Sequence, residues 1–306
     1  MVHRSRPALV AVAVCIAGAL TLSSCASNKD TTSGSTTSTG GGGGASAAVP
    51  TLDSAAAALV PAALKSKGTL QVGVDATYAP NEYKDSSDKI VGFDIDLFNA
   101  VATTLGLKAN YVASNFDNII PGITGGKYDV GDSSFTDNKK REATVDFVTY
   151  YSAGIQFVST DKTFDPTNAC GKKIAVQAAT IELDDLNARS KACTSAGKPS
   201  INIQQFTAQG DATTAVTLGK VVAMSADYPV SVDAVNKSGG KLQLVGQTNF
   251  GAAPYGYAVA KGSALEKALQ AAVQKLIDSG AYDAICKKWS LTGGEIKTAQ
   301  INAATS

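Results

Sequence analysis

The sequence predicts an α/β fold in which largely parallel strands are covered by helices. Two observations carry this reading. Strand-like and helix-like segments alternate through most of the chain, and the helix-like segments show apolar residues on one face with glycine at the stop. Residues 70–74 (LQVGV) read as a buried strand. Residues 93–105 place Leu97, Val101 and Leu105 on one face with Phe98 and Ala102 beside them, Asp94 and Asp96 in the first turn, and Gly106 after the end. Residues 108–113 follow as a strand, 117–127 as a short helix closed by Gly125 and Gly126, and 128–135 as a strand.

A second alternation begins after Tyr151. It comprises strand 172–177, helix 182–191, strand 201–206, helix 210–218, strand 220–225 and helix 229–237. After 241–246 and a turn-rich stretch to Pro254, residues 255–260 (YGYAVA) read as a strand. The helix over 264–280 then carries Leu265, Leu269, Ala272, Leu276 and Ile277 on one face. Ligands on such sheets sit beyond the carboxyl ends of the strands, and between two lobes when there are two.

The amino-terminal end is of a different kind. Residues 8–22 form an uncharged apolar run behind Arg4 and Arg6, too short to cross a bilayer, and read as a secretory signal over residues 1–24. The run ends in Leu22-Ser23-Ser24-Cys25, which resembles the bacterial lipobox, where the cysteine is acylated. Residues 25–66 are then expected to be the lipidated Cys25 and a flexible tether, rich in Gly, Ser, Thr and Ala and including Gly40 to Gly44. The domain is thus expected outside the cytoplasm, held at the cell membrane by lipid.

Composition excludes several classes of function. Losing Arg4 and Arg6 with the signal takes 27 basic residues to 25 against 26 acidic, a net charge of −1 with no basic footprint for nucleic acid. The only histidine is His3, inside the signal, so the mature chain has no histidine-based triad. No CxxC spacing suggests zinc, and no metal or cofactor is expected. Cys170 and Cys193, 23 residues apart around a predicted strand and helix, are the expected disulfide in an oxidising compartment, with Cys286 a buried thiol.

Gly92-Phe93-Asp94-Ile95-Asp96-Leu97, with Val101, Ala102 and Leu105 behind it, resembles the signature of the bacterial extracellular solute-binding proteins that deliver polar amino acids to ABC importers. The likeness continues through VGVDATYAP, FDNIIPGITGGKYDV, Arg141 five residues before Asp146, Ala226-Asp227-Tyr228-Pro229, PYGYAVAKG and AYDAICKKWSL, over about residues 67–291. It implies a two-lobed periplasmic-binding-protein-like fold of two parallel-rich sheets hinged by two crossover strands. Residues 67–153 with 256–306 would form lobe 1 and 158–251 lobe 2, with crossovers near 153–157 and 252–255. It also implies a monomer that closes on an amino acid and docks on a membrane permease, binding without catalysis.

An amino acid is a zwitterion, and a cleft that desolvates it must supply a cation and an anion. By the resemblance, Arg141 clamps the carboxylate, with the two parallel hydrogen bonds that Lys139 and Lys140 cannot make. Ser134 and Thr136 bind the ligand's backbone groups, and Asp227 takes the ammonium, with an N-cap of the helix beginning near Pro229 as its alternative role. Thr180 sits in the loop that helps hold the carboxylate. There the family's Gly-Thr-Thr is replaced by Ala179-Thr180-Ile181. Side-chain selectivity falls to Asp75, Tyr78, Asn81, Phe116 and Gln177, with Asn81 where the family has phenylalanine. The set favours a polar ligand, basic or amide. Asp132 stands where the family is apolar, and needs a partner, a proton, or a cationic ligand.

Two other functions share this scaffold. A dehydratase-like enzyme would need a carboxyl acid or base in the cleft, for which Asp132 or Asp75 are the nominees. A ligand-sensing domain would pass the signal to a receptor.

Overall fold

The computed structural model describes residues 49–305; the signal, Cys25 and the glycine-rich part of the tether lie outside the described residues. Two short helices open the described chain, α1 (Ser54–Ala58) and α2 (Ala62–Lys67). They fall within the stretch expected to be tether, so the folded part begins earlier than its composition suggests. Alanine supplies helix propensity with little apolar bulk, which is why the segment reads as linker. Asp53 caps α1 by accepting from the Ala56 N–H, and Ala56 and Val60 are buried in the core.

Then follow β1 (Thr69–Val74), the short strands β2 (Thr77–Tyr78), β3 (Glu82–Lys84) and β4 (Ile90–Val91), α3 (Phe93–Thr104), β5 (Lys108–Ala113), α4 (Phe116–Thr124) and β6 (Val130–Gly131). Gly92, which opens α3, has φ +143°, and a Cβ there would collide with the Asn81 carbonyl. The strand expected over 128–135 is only two residues long. Ser134 takes φ +49° and turns the chain out of the sheet towards α5 (Lys139–Glu142).

The long strand β7 (Val145–Ser159) leads to β8 (Lys173–Gln177), α6 (Ile181–Ser195), β9 (Asn202–Phe206), α7 (Gln209–Thr217), β10 (Ala223–Asp227) and α8 (Tyr228–Lys237). The second long strand, β11 (Gln243–Ala260), precedes α9 (Leu265–Ser279) and α10 (Ala281–Lys288). β10 starts three residues later than expected, which puts Asp227 at its carboxyl end. The turn-rich residues before Pro254 do not break β11. They are absorbed as register shifts against β7 between Val245 and Phe250 and between Phe250 and Ala253, with Asn249 and Gly251 at positive φ.

The main sheet runs β5-β1-β6-β11-β7-β10-β8-β9. Its flanks are parallel, β1 pairing with β5 and β6, and β8 with β9 and β10. β7 pairs antiparallel with both β11 and β10 and is long enough to serve both flanks, so the two expected sheets join into one hydrogen-bonded ladder. On one flank α3, α9 and α10 bury Leu97, Val101, Leu269 and Leu276 against Leu70 and Val72. The apolar faces read from 93–105 and 264–280 are the buried ones. On the other flank Val216, Met224 and Val230 form one cluster, and Ile174, Leu186 and Cys193 another. Cys170 and Cys193 are disulfide-bonded within this second flank, 5.6 Å apart at Cα, and Cys286 is a buried free thiol. Among the described residues no helix is long and apolar enough to cross a membrane.

Candidate functional site

The strand ends of the two flanks face one narrow cavity. The first flank contributes Asp75 just after β1, Tyr78 in β2, Phe116 at the start of α4, Ser134 and Thr136 after β6, and Arg141 in α5. The second contributes Gln177 at the end of β8, Thr180 before α6 and Asp227 at the end of β10. Of the ten ligand-binding expectations only Asn81 is off the lining. It is fully buried behind the wall, where its Nδ2 donates to Ser134 Oγ at 2.8 Å. Three lining residues escaped the sequence reading: Ser133, Ile181 and Glu182.

Arg141 spans the cavity. Its NH1 donates to the Thr136 carbonyl at 2.8 Å and its NH2 to the Ala179 carbonyl at 3.1 Å, so one guanidinium touches both flanks. It lies over the rings of Phe116 (5.4 Å) and Phe135 (5.5 Å), which are themselves stacked. Asn138 fixes its backbone by accepting from the Arg141 N–H at 2.8 Å. Lys139 and Lys140 turn away, to Glu142 and to the exposed Asp184.

Three carboxyl groups face this single cation, all at most 4 % exposed. Asp227 Oδ2 accepts from the Tyr78 hydroxyl at 2.7 Å, while its Oδ1 has no hydrogen-bond partner among the described residues. It occupies the N-cap position of α8 but makes no side-chain cap bond, so the capping alternative is not realised. Burial pushes its pKa up to about 6, against the hydrogen bond from Tyr78. Glu182, in the first turn of α6, also has a carboxyl oxygen without a partner among the described residues. Burial, then the neighbouring Asp227, push it well above the usual carboxylate range. Asp75 accepts from Gln177 Nε2 at 2.5 Å and from Thr77 Oγ1 at 2.8 Å, and burial raises it too, though these bonds oppose the shift. Burial thus favours the protonated form of each of these acids.

The wall behind Ser134 is built from further acids. Asp94 accepts from the Ser134 N–H (3.0 Å), the Ser134 hydroxyl (2.9 Å) and the Tyr150 hydroxyl (2.7 Å). The hydroxyl of Ser134 is therefore engaged by the protein rather than open to a ligand. Ser133 Oγ accepts from the Asp75 N–H and donates to Glu82. Asp132 is fully buried, does not line the cavity, and has no hydrogen-bond partner on either carboxyl oxygen among the described residues. Burial, reinforced by Asp94, raises its pKa well above the usual range, which favours the proton among the three explanations open for it.

Thr180 serves the scaffold as well as the lining. Its Oγ1 caps α6 by accepting from the Leu183 N–H at 3.3 Å and donates to the Gln177 carbonyl at 2.9 Å. Ala179 before it sits at φ +62°, the conformation for which the family's glycine is suited. Thr180→Ala is expected to lower stability by about 1 kcal/mol, the usual worth of an N-cap, read as a lower urea midpoint at unchanged m. Among the described residues no group of three His, Cys, Asp or Glu side chains could hold a metal ion.

Comparison with known proteins shows the family. The arginine-binding protein ArgT of Corynebacterium glutamicum is 37 % identical over 299 residues, covering 96 % of this chain and 95 % of ArgT. An ancestral arginine-binding protein, solved with arginine bound, superposes with a TM-score of 0.68 at 34 % identity, over 72 % of this chain and 98 % of that one. An ancestral amino acid-binding protein that is a precursor of cyclohexadienyl dehydratase superposes with a TM-score of 0.66 at 29 % identity, over 74 % and 97 %. With the family's sequence pattern matching residues 70–292, a two-lobed α/β fold and a charged cavity at the strand ends of both lobes, the chain belongs to the bacterial extracellular solute-binding proteins, family 3.

Proposed function

We propose that this protein is the substrate-binding component of an ABC importer for a polar amino acid, that the amino acid is cationic, and that L-arginine is the first candidate. The observation that carries the reading is the imbalance of charge in the cavity, where three buried carboxyl groups, Asp75, Glu182 and Asp227, face the single guanidinium of Arg141. A ligand carboxylate on Arg141 and an ammonium on Asp227 leave two acids to be answered. A side chain ending in a second cation offsets one of them, and a neutral one leaves both desolvated or protonated. The likeness to an arginine-binding relative over nearly the full chain supports the same choice.

In this reading residues 67–153 with 256–306 form one lobe and 158–251 the other, with α1 and α2 added to the first lobe. β7 and β11 act as the crossovers. Cys25 carries the lipid, the following residues are the leash, and the closed form is handed to a membrane permease. The site binds and releases its ligand unchanged. A dehydratase on this scaffold would use a proton-holding carboxyl such as Glu182 as its acid, and product analysis with small cyclic acids separates the two.

Calorimetric titration of the mature domain with arginine, lysine, ornithine, histidine, glutamine and cystine tests the proposal. The expected result is one site, with the cationic amino acids at least tenfold tighter than glutamine. Absence of heat with every amino acid overturns the substrate class, and preference for glutamine or cystine overturns the cationic assignment.

A further inference from the structure

β10 pairs with β7 only over residues 155–159, which leaves the other edge of β7 open along residues 145–149. The segment after α10 returns to cover it. The Thr149 N–H donates to the Gln300 carbonyl and the Gln300 N–H to Thr149 Oγ1, each at 2.9 Å. Val148 bridges Ile301, the Asn302 N–H donates to the Phe147 carbonyl at 3.0 Å, and the Phe147 N–H to Asn302 Oδ1 at 2.9 Å. Covering an exposed edge would account for the strand-like part of this segment.

It does not account for what comes next. Beyond the edge, the Ala303 N–H donates to Asp137 Oδ2 at 2.7 Å and the Ala304 N–H to Glu142 Oε1 at 3.2 Å. These two acids bracket Arg141, one four residues before it and one immediately after. The loop between them is also held by the Asp137 N–H to the Pro254 carbonyl at 2.8 Å, by Asn138 capping the one-turn α5, by Lys261 Nζ donating to the Glu142 carbonyl at 2.7 Å, and by the Lys139–Glu142 and Lys140–Asp184 ion pairs at its surface. Charge-assisted bonds from backbone N–H groups to buried carboxylates are among the stronger ones available to anchor such a loop.

We propose that residues 300–304 are a strap that fixes the Arg141 clamp, with Asp137 as its positioning residue, so that a segment remote in sequence sets ligand affinity. The geometry gives the reason. Arg141 must present its guanidinium to a carboxylate while holding the Thr136 carbonyl on its own flank and the Ala179 carbonyl on the other. A clamp on a single unanchored helical turn spends its time away from that position, and the fraction of competent molecules scales the affinity directly. The affinity part of the inference rests on the reading of Arg141 as the carboxylate clamp.

Three variants of the full chain test it: Asp137→Ala, Asp137→Asn, and a chain shortened to end at Gln300. In the ligand-free protein, amide exchange of residues 139–143 is expected to speed up at least tenfold in Asp137→Ala and in the shortened chain. It should return to within about twofold of wild type in Asp137→Asn, whose amide oxygen still accepts from Ala303. Affinity for L-arginine at 20 °C is expected to fall about tenfold in the first two and to recover in the third. Combining Asp137→Ala with the shortening should add little to either alone. Unchanged exchange over 139–143 overturns the strap whether or not arginine is the ligand, and so does a lower melting temperature with wild-type affinity. Should the shortened chain not fold, the two Asp137 variants still decide. A wild-type chain that binds no arginine counts against the proposed ligand alone, because the exchange result stands without it.

Discussion

Arg141→Lys is expected to weaken binding of L-arginine by two orders of magnitude or more while the ligand-free protein melts within a few degrees of wild type. The charge is conserved in this change and the geometry is not. The guanidinium donates in one plane to the Thr136 and Ala179 carbonyls and still presents N–H groups to the cavity, flat over Phe116 and Phe135. An ammonium has three donors on a compact head and cannot hold two carbonyls and a bidentate carboxylate together. Losing one of two charge-assisted bonds to a desolvated carboxylate, with one carbonyl left unpaired, amounts to about 3 kcal/mol, or roughly 100-fold in Kd. Lys139 and Lys140 cannot take over, being engaged by Glu142 and Asp184. Calorimetry on both proteins reads the difference; equal affinity removes Arg141 from the site.

The regular elements were legible wherever a single physical pattern decided them. Leu97, Val101 and Leu105 repeat at helical spacing because one face of α3 meets the core, and all three are buried. The failures lie where tertiary context overrides local signal. The alanines at 55–58 fold because Ala56 finds a buried place in the core, which no local pattern announces. Residues 247–254 read as turns yet continue β11, because Phe250, Ala253 and Pro254 still pair with β7 across two register shifts. In the cavity, the reading by family position found residues whose type is tied to the zwitterion, such as Arg141 and Asp227. It gave Glu182 no role beyond opening the helix over 182–191, although its position two residues after Thr180 was a usable signal. Asn81 went the other way. Its family position suggested a lining group, whereas it lies one layer back, donating to Ser134. Asp94, read only as a first-turn acid matched to the helix dipole, is also the fully buried anchor of the Ser134 turn.

Asp227→Asn should show the largest effect on function and the opposite effect on stability. In the ligand-free protein the Asp227 carboxyl is pushed up to about 6 by burial, from an ordinary value of 3.8. The native state thus holds this proton more tightly than the unfolded chain does. The resulting stabilisation is fully present below about pH 4 and is lost as pH rises to about 6, with a ceiling of about 3 kcal/mol for a shift of this size. At pH 7 the ligand-free protein therefore keeps a desolvated carboxylate beside Glu182, Tyr78 and Tyr255, with Arg141 the cation opposing them. A ligand ammonium removes that cost, and binds well only to the ionised form. Affinity for arginine is accordingly expected to be flat above about pH 6.5 and to fall roughly tenfold per unit well below 6, with close to one proton released on binding in that acidic range and few at pH 7. That release is measurable as a dependence of the calorimetric heat on the buffer's ionisation enthalpy. Asparagine leaves the ammonium with neutral partners, at a cost of about 4 kcal/mol, or roughly 1,000-fold in Kd. It also abolishes the acid-side fall and makes the ligand-free protein more stable than wild type in urea at pH 7 though not at pH 4. A parallel pH profile in the two proteins, or an Asp227→Asn chain that is less stable at pH 7, would remove Asp227 from the ammonium site. The two measurements separate a residue held under strain for its ligand from one that merely builds the wall, because only the former exchanges stability for affinity.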